Sequence, residues 1–220
     1  TGGETLAIKY NYDLMKRIVD RGLAKNMDLR ITTNGTLTPK FDGKDIFDYI
    51  PEFKECQINI SIEGWGERNQ YLRYPSKWDV IYKNAERYAS LPNTKVLFVS
   101  TINALNIGYL WEITHGLHEL MDKYPDKFYQ LSTGSLVWGS MEKYVITTIP
   151  REIREEYINS YFSNWKSEYN DDFKKIVDYL ETVPYDEELM HKMLKDVKSR
   201  DLHRGTSLLD FAPEWKPYYE

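Results

Sequence analysis

The sequence predicts an α/β fold: a partial, open TIM-type β/α barrel of parallel strands with a helical C-terminal extension. Three patterns carry that expectation. Strand-like and helix-like runs alternate over the first two thirds, as in a parallel sheet with helical crossovers. Within them Ile58, Ile60 and Ile62 alternate with Asn59, Ser61 and Glu63, so one strand carries an apolar and a polar face. A barrel strand turns such a polar face toward a lumen that can hold a ligand. Beyond Pro150 the strands stop and three amphipathic helical patterns follow.

In chain order, Asn11 to Gly22 reads as a helix with Leu14, Ile18 and Val19 on its apolar stripe and Gly22 closing it. Leu29–Thr33 reads as a strand, followed by a loop marked by Pro39 and Gly43. Gln57–Glu63 is the next strand. Ser76 and Asp79 suggest a capping box that opens a helix to about Ser90. Val96–Asn103 is a nearly continuous apolar run, expected of a strand covered on both faces. A helix over Ile107–Lys123, with Leu110, Ile113, Leu117 and Leu120 on its stripe, leads to a last strand near Phe128–Trp138. The later helices are expected over Pro150–Trp165, Asp171–Thr182 and Asp186–Arg200, and the tail from Ala212 is irregular because Pro213 and Pro217 interrupt it. This divides the chain into a partial barrel over residues 1–145 and a helical extension over 146–220.

Composition excludes several classes. The net charge is −5 and no concentrated run of Lys and Arg occurs, which removes nucleic acid and anionic membrane surfaces as partners. No apolar run approaches the roughly 18 residues of a membrane span. The single cysteine, Cys56, excludes an internal disulfide framework and suits a reducing compartment, so a cytoplasmic location is expected. The chain opens at Thr1, inside a motif, and reads as part of something longer. His115 and His118 stand three apart on a helix but have no carboxylate or thiol grouped with them, so no metal site is expected there. Arg73 reads equally as a partner for a carboxylate or phosphate on a substrate and as a surface arginine on the approach to a helix, and Arg204, Gly205 and Ser207 could form a basic lid. No Ser–His–Asp order, nucleophile elbow or Walker-type loop is present.

The polar, glycine-marked segments at successive strand ends are more telling. Gly2-Gly3-Glu4 offers backbone approach and a carboxylate that can accept from an ammonium group. Thr32-Thr33-Asn34-Gly35, Asn59 to Gly64, and Thr101-Ile102-Asn103 follow in order, and α/β barrels bind ligands at such ends. Together with Tyr71-Leu72-Arg73-Tyr74-Pro75, they resemble the radical S-adenosylmethionine (SAM) enzymes, in particular members with twitch or SPASM extensions. The likeness covers about residues 1–140. It implies SAM as cofactor, held by Gly2, Gly3, Glu4, Ser61 and Glu63, with Thr33 and Asn103 facing SAM or substrate. It also implies a four-iron, four-sulfur (4Fe–4S) cluster, a reductant protein, and radical chemistry on an unknown substrate, a peptide or a small molecule.

Two departures stand out. Thr5 replaces the usual proline after Gly-Gly-Glu. The three cluster cysteines, spaced C-x3-C-x2-C, are absent, and an iron–sulfur cluster needs thiolate ligands. The cluster loop and first strand are expected upstream of Thr1 in an intact parent, and the 220 residues alone are expected to be inactive. The alternative is a cluster-less barrel acting as a peptide-binding or scaffold module, for which the aromatic tail would be suited.

Overall fold

The computed structural model describes residues 3–129, 131–136, 144–166 and 170–220. Four strands, β1 (Asp28–Thr33), β2 (Glu55–Ser61), β3 (Thr94–Ile102) and β4 (Ser132–Leu136), stand in the sheet order β1-β2-β3-β4. The helices are α1 (Lys9–Asp20), α2 (Ile46–Tyr49), α3 (Gly66–Leu72), α4 (Trp78–Ala89) and α5 (Leu110–Lys123). They continue with α6 (Arg151–Ser163), α7 (Asn170–Thr182), α8 (Glu187–Arg204) and α9 (Lys216–Tyr219). Helices alternate with parallel strands as predicted, and the sheet is open. The chain divides into two compact units, Thr1–Ser100 with Thr114–Ser132, and Thr101–Ile113 with Thr133–Glu220.

In the first unit β1, β2 and β3 are parallel, with Ile31 beside Ile58 beside Val96, and Ile60 beside Phe98. These residues form the buried face. On the opposite face Gln57, Asn59 and Ser61 are half-buried, which is the alternation the sequence shows. β3 departs from expectation: its apolar run is not covered on both sides, because Val96 and Phe98 are buried while Leu97 and Val99 are half-exposed. Among the described residues, α4 and α5 pack on the buried face, α5 through Gly116 against Trp65, whose ring meets Phe98. Ile81 of α4 packs at Gly35, and Ala85 and Tyr88 are buried with it.

The α1 stripe also differs. Tyr12 and Met15 are buried, whereas Leu14 is 45% exposed. The reason lies in the loop after β1, where Phe41 and Tyr49 meet the Tyr12 ring at centroid distances of 4.7 and 6.1 Å. That loop holds a capping box the sequence reading missed. Asp45 Oδ1 accepts from the Phe47 amide at 2.9 Å, and Asp48 Oδ2 accepts from the Asp45 amide at 2.8 Å. The box expected at Ser76 and Asp79 does not form, because α4 starts at Trp78 and places Lys77 at its N-cap. The Trp78 amide donates instead to Gln70 Oε1 of α3, at 3.0 Å. Phe128 makes only an isolated bridge to Val96, so the last strand starts later than predicted; Trp138, its expected end, lies outside the described residues.

The second unit is mainly helical. On α7, Phe173, Ile176, Val177 and Leu180 are buried. On α6 the buried residues are Ile153, Tyr157 and Tyr161, while Phe162 is 59% exposed and Trp165 lies past the helix end. Arg154 is buried too. Its guanidinium donates to the carbonyls of Ile149, Val183 and Pro184, which supplies the partners a buried charge needs. Gly108 permits a close approach, since a Cβ there would fall 2.4 Å from the Tyr157 ring.

The tail is not irregular. It forms a 3-10 turn over Pro213–Trp215 and then α9, with Trp215 fully buried. Proline is tolerated there because it occupies the first turn of each helix, where the missing N–H would have no partner.

Gly116 of α5 offers a direct test of packing in the first unit. A Cβ there would lie 2.1 Å from Trp65, whose ring is held by Trp78 at 4.6 Å and Phe98 at 5.9 Å. Gly116→Ala is therefore expected to destabilise by about 1–3 kcal/mol despite the better helix propensity of alanine. Urea denaturation followed by tryptophan fluorescence measures it; an unchanged or higher midpoint would show that Trp65 yields freely.

Candidate functional site

In the first unit the C-terminal ends of β1 and β2 lie side by side, with Thr33 paired to Ile60 in register. Gly3 and Glu4 join them. Glu4 Oε1 accepts from Thr33 Oγ1 at 2.6 Å and from the Leu6 amide at 3.1 Å, while Oε2 accepts from the Asn34 amide at 2.7 Å. Two motifs that the sequence places thirty residues apart are thus one hydrogen-bonded unit. Thr33 is 2% exposed and faces the helix-covered side, so its hydroxyl serves Glu4. Gly3 has φ +135 and nothing within 4 Å of a would-be Cβ, leaving its backbone approachable. Gly2 lies outside the described residues.

The turn beyond β1 is built from its own residues. Asn34 Oδ1 accepts from the Thr36 amide at 2.9 Å and from Thr36 Oγ1 at 2.6 Å. Gly35 takes φ +74, and a Cβ would come within 2.9 Å of Ile60, so glycine is required twice over. Its carbonyl accepts from Asn84 Nδ2 of α4 at 2.8 Å, which anchors the turn from beneath.

At the end of β2, Ser61 is half-buried on the polar face and Glu63 follows. The Glu63 carboxylate meets Arg73 Nη1 at 3.1 Å, with the two side chains 15% and 28% exposed. Asn69 of α3 is fully buried and accepts from the Glu63 amide at 2.9 Å, and its carbonyl accepts from the Arg73 amide at 2.9 Å. Sequence reasoning missed Asn69, since nothing in its spacing marks it. Arg73 Nη1 is thus paired within the chain, to Glu63, and the residue sits just past the end of α3.

Asn103 belongs to the second unit. Its Oδ1 accepts from the Leu105 amide at 2.9 Å, and its own amide donates to Asn106 Oδ1 at 2.8 Å, so it shapes the turn after β3. Arg204 and Gly205 end α8, with Gly205 at φ +66, and Ser207 Oγ accepts from the Leu209 amide at 3.2 Å; this is a helix stop, not a lid.

His115 and His118 are half-buried on α5, and no group of three metal-ligating side chains occurs among the described residues. Cys56 is 3% exposed, and burial, with Asp28 nearby, pushes its thiol up from 9.0 to about 12. It is a core residue and a poor nucleophile. Burial, then the charges of Asp45 and Glu4, raises Tyr12 from 10.0 to about 12. Both groups are neutral in the fold, so their contribution is fully present below about pH 9 and is lost as the pH rises toward 12. Urea midpoints at pH 8, 10 and 11.5 should fall progressively, and Cys56→Ala should delay the onset. A flat profile across that window would contradict the assignment.

Comparison with protein-family models, curated proteins and solved structures finds no match. No helix among the described residues is long and apolar enough to cross a membrane.

Proposed function

We propose that this chain is the ligand-binding part of a radical SAM-type enzyme, its sheet being a segment of a β/α barrel whose rim holds SAM. The supporting observation is the direct bonding of Glu4 to Thr33 and Asn34, which assembles two of the resembling motifs at one strand end. A half-buried Ser61 and the Glu63–Arg73 pair stand at the next strand end. The approachable backbone at Gly3 and these polar groups suit a nucleoside carrying an amino acid, and SAM bound there would supply the precursor of a carbon-centred radical. Glu63 would orient the ligand through the carboxylate that Arg73 steadies, and Ser61 through its hydroxyl.

A 4Fe–4S cluster does not fit the residues present. One buried cysteine with a raised thiol pKa cannot supply three thiolates, so no step through a cluster is derived for this chain. A second reading, a cluster-less barrel serving as a binding or scaffold module, requires no thiolates. Calorimetric titration with SAM separates them. The proposal expects saturable binding that Ser61→Ala and Glu63→Ala each weaken about tenfold, the equivalent of one lost charge-assisted hydrogen bond. No heat with SAM, or unchanged affinity in both variants, would leave the binding-module reading.

A further inference from the structure

The polar face of the sheet has a charge order that the rim does not explain. The register places Arg30 beside Gln57 beside Lys95, three neighbours on one face of β1, β2 and β3. Toward the rim the next row is Thr32, Asn59 and Leu97, joined by Gln57 Nε2 donating to Asn59 Oδ1 at 2.8 Å. Ser61 and Val99 come after it. Among the described strand residues the acids of this face are Asp28 and Glu55, one row further from the rim than the cations, and Asp28 is engaged by Lys54 at 3.8 Å; Glu63 follows past the strand end and is paired with Arg73. Arg30 is exposed and stands in no ion pair among the described residues, while Lys95 is half-buried, donates to the Asp126 carbonyl and lies 6.0 Å over the Tyr129 ring, with no carboxylate paired to it among the described residues.

We propose that this face binds the acidic end of the substrate, a carboxylate held between Arg30 and Lys95. Their backbones are separated by two strand spacings, about 9–10 Å, which two long side chains can close onto one anion. The row lies four residues below Ser61, about 13 Å along the strand. A molecule reaching from the rim to the cations is therefore extended, passes uncharged hydrogen-bonding groups at Asn59 and Gln57, and ends in negative charge. Complementarity is the argument: in a chain of net charge −5, this row presents two cations and no acid. The inference rests on the reading that this face lines the ligand site.

The test is a titration of the isotopically labelled chain with citrate, followed by amide and side-chain NMR shifts, with glycerol as the uncharged control. Shifts centred on Arg30, Gln57, Asn59 and Lys95 that saturate with citrate alone are expected. Arg30→Gln and Lys95→Gln, both surface substitutions that leave the fold intact, should each weaken citrate about tenfold. Shifts scattered over other surfaces, or equal affinity in wild type and both variants, would overturn it. The same variants should bind SAM as the wild type does. Failure of SAM to bind anywhere would count against the proposed function, while failure of citrate with SAM bound would count against the anion seat alone.

Discussion

Trp215→Ala is expected to destabilise the second unit by about 3–5 kcal/mol, the largest single loss among the described residues. The indole is fully buried, and its Nε1 donates to Tyr157 Oη at 2.9 Å. Tyr157 Oη in turn donates to Glu214 Oε1 at 2.6 Å, and Tyr109 reaches the same carboxylate at 2.7 Å. The truncation thus opens a cavity and removes one end of a buried polar chain. Two tyrosines and a carboxylate are left to be satisfied by each other. Tyr157 is held neutral by burial and by Glu214, so the network does not recover by ionising. Trp215→Phe should cost less, since it keeps most of the apolar area and loses only the donor. Circular dichroism during urea denaturation gives the value. A loss below about 1 kcal/mol for the alanine variant would mean that the tail is not docked as described. Tyr218 donates to Glu152 at 2.8 Å and Tyr219 to Asp201 at 2.6 Å, so the tail is tied at further points and its aromatics are committed within the unit. This removes the feature that made the tail attractive as a free binding element.

The alternation of strand and helix was legible because its periodicities, two and near four, are set by residues adjacent in the chain. Ile58, Ile60 and Ile62 announced their buried face in this way, and all three are fully buried. What sequence concealed depends on partners far away along the chain. Tyr12 took the place of Leu14 in the core because Phe41 and Tyr49 arrive from a later loop. The Val96–Asn103 run looked doubly covered, since apolar content alone cannot tell whether a second helix layer exists. Trp215 lay in a segment that two prolines made unreadable, and its burial follows from Tyr157 on a distant helix. At the candidate site, the order of the strand ends was legible and the bonding between them was not. Nothing in Gly2-Gly3-Glu4 states that the carboxylate will close on Thr33 and Asn34, nor in Asn69 that it will brace Glu63.

Glu4→Ala is expected to cost about 3 kcal/mol, because the carboxylate clamps the end of β1 to the chain start. It accepts from one hydroxyl and two backbone amides, and each such bond to a charged group is worth roughly 1.5–3 kcal/mol, with neighbouring bonds less than additive. Water can reach part of the site, which keeps the total below the simple sum. An ionised carboxylate has about four lone-pair positions. Three are filled here, which leaves one acceptor position on Oε2. The arrangement accordingly separates two roles that a single affinity measurement would merge. Glu4→Gln keeps an acceptor toward Thr33 and Leu6 but sets an NH2 donor against the Asn34 amide, so it should lose about half as much stability. If ligand binding depends on charge at Glu4, the glutamine variant should lose SAM affinity nearly as fully as alanine does. If Glu4 acts only by shaping the strand end, affinity should instead track stability, falling less for glutamine than for alanine. Stability unchanged in both variants would rule out the clamp itself, and with it the observation that draws these two motifs into one site.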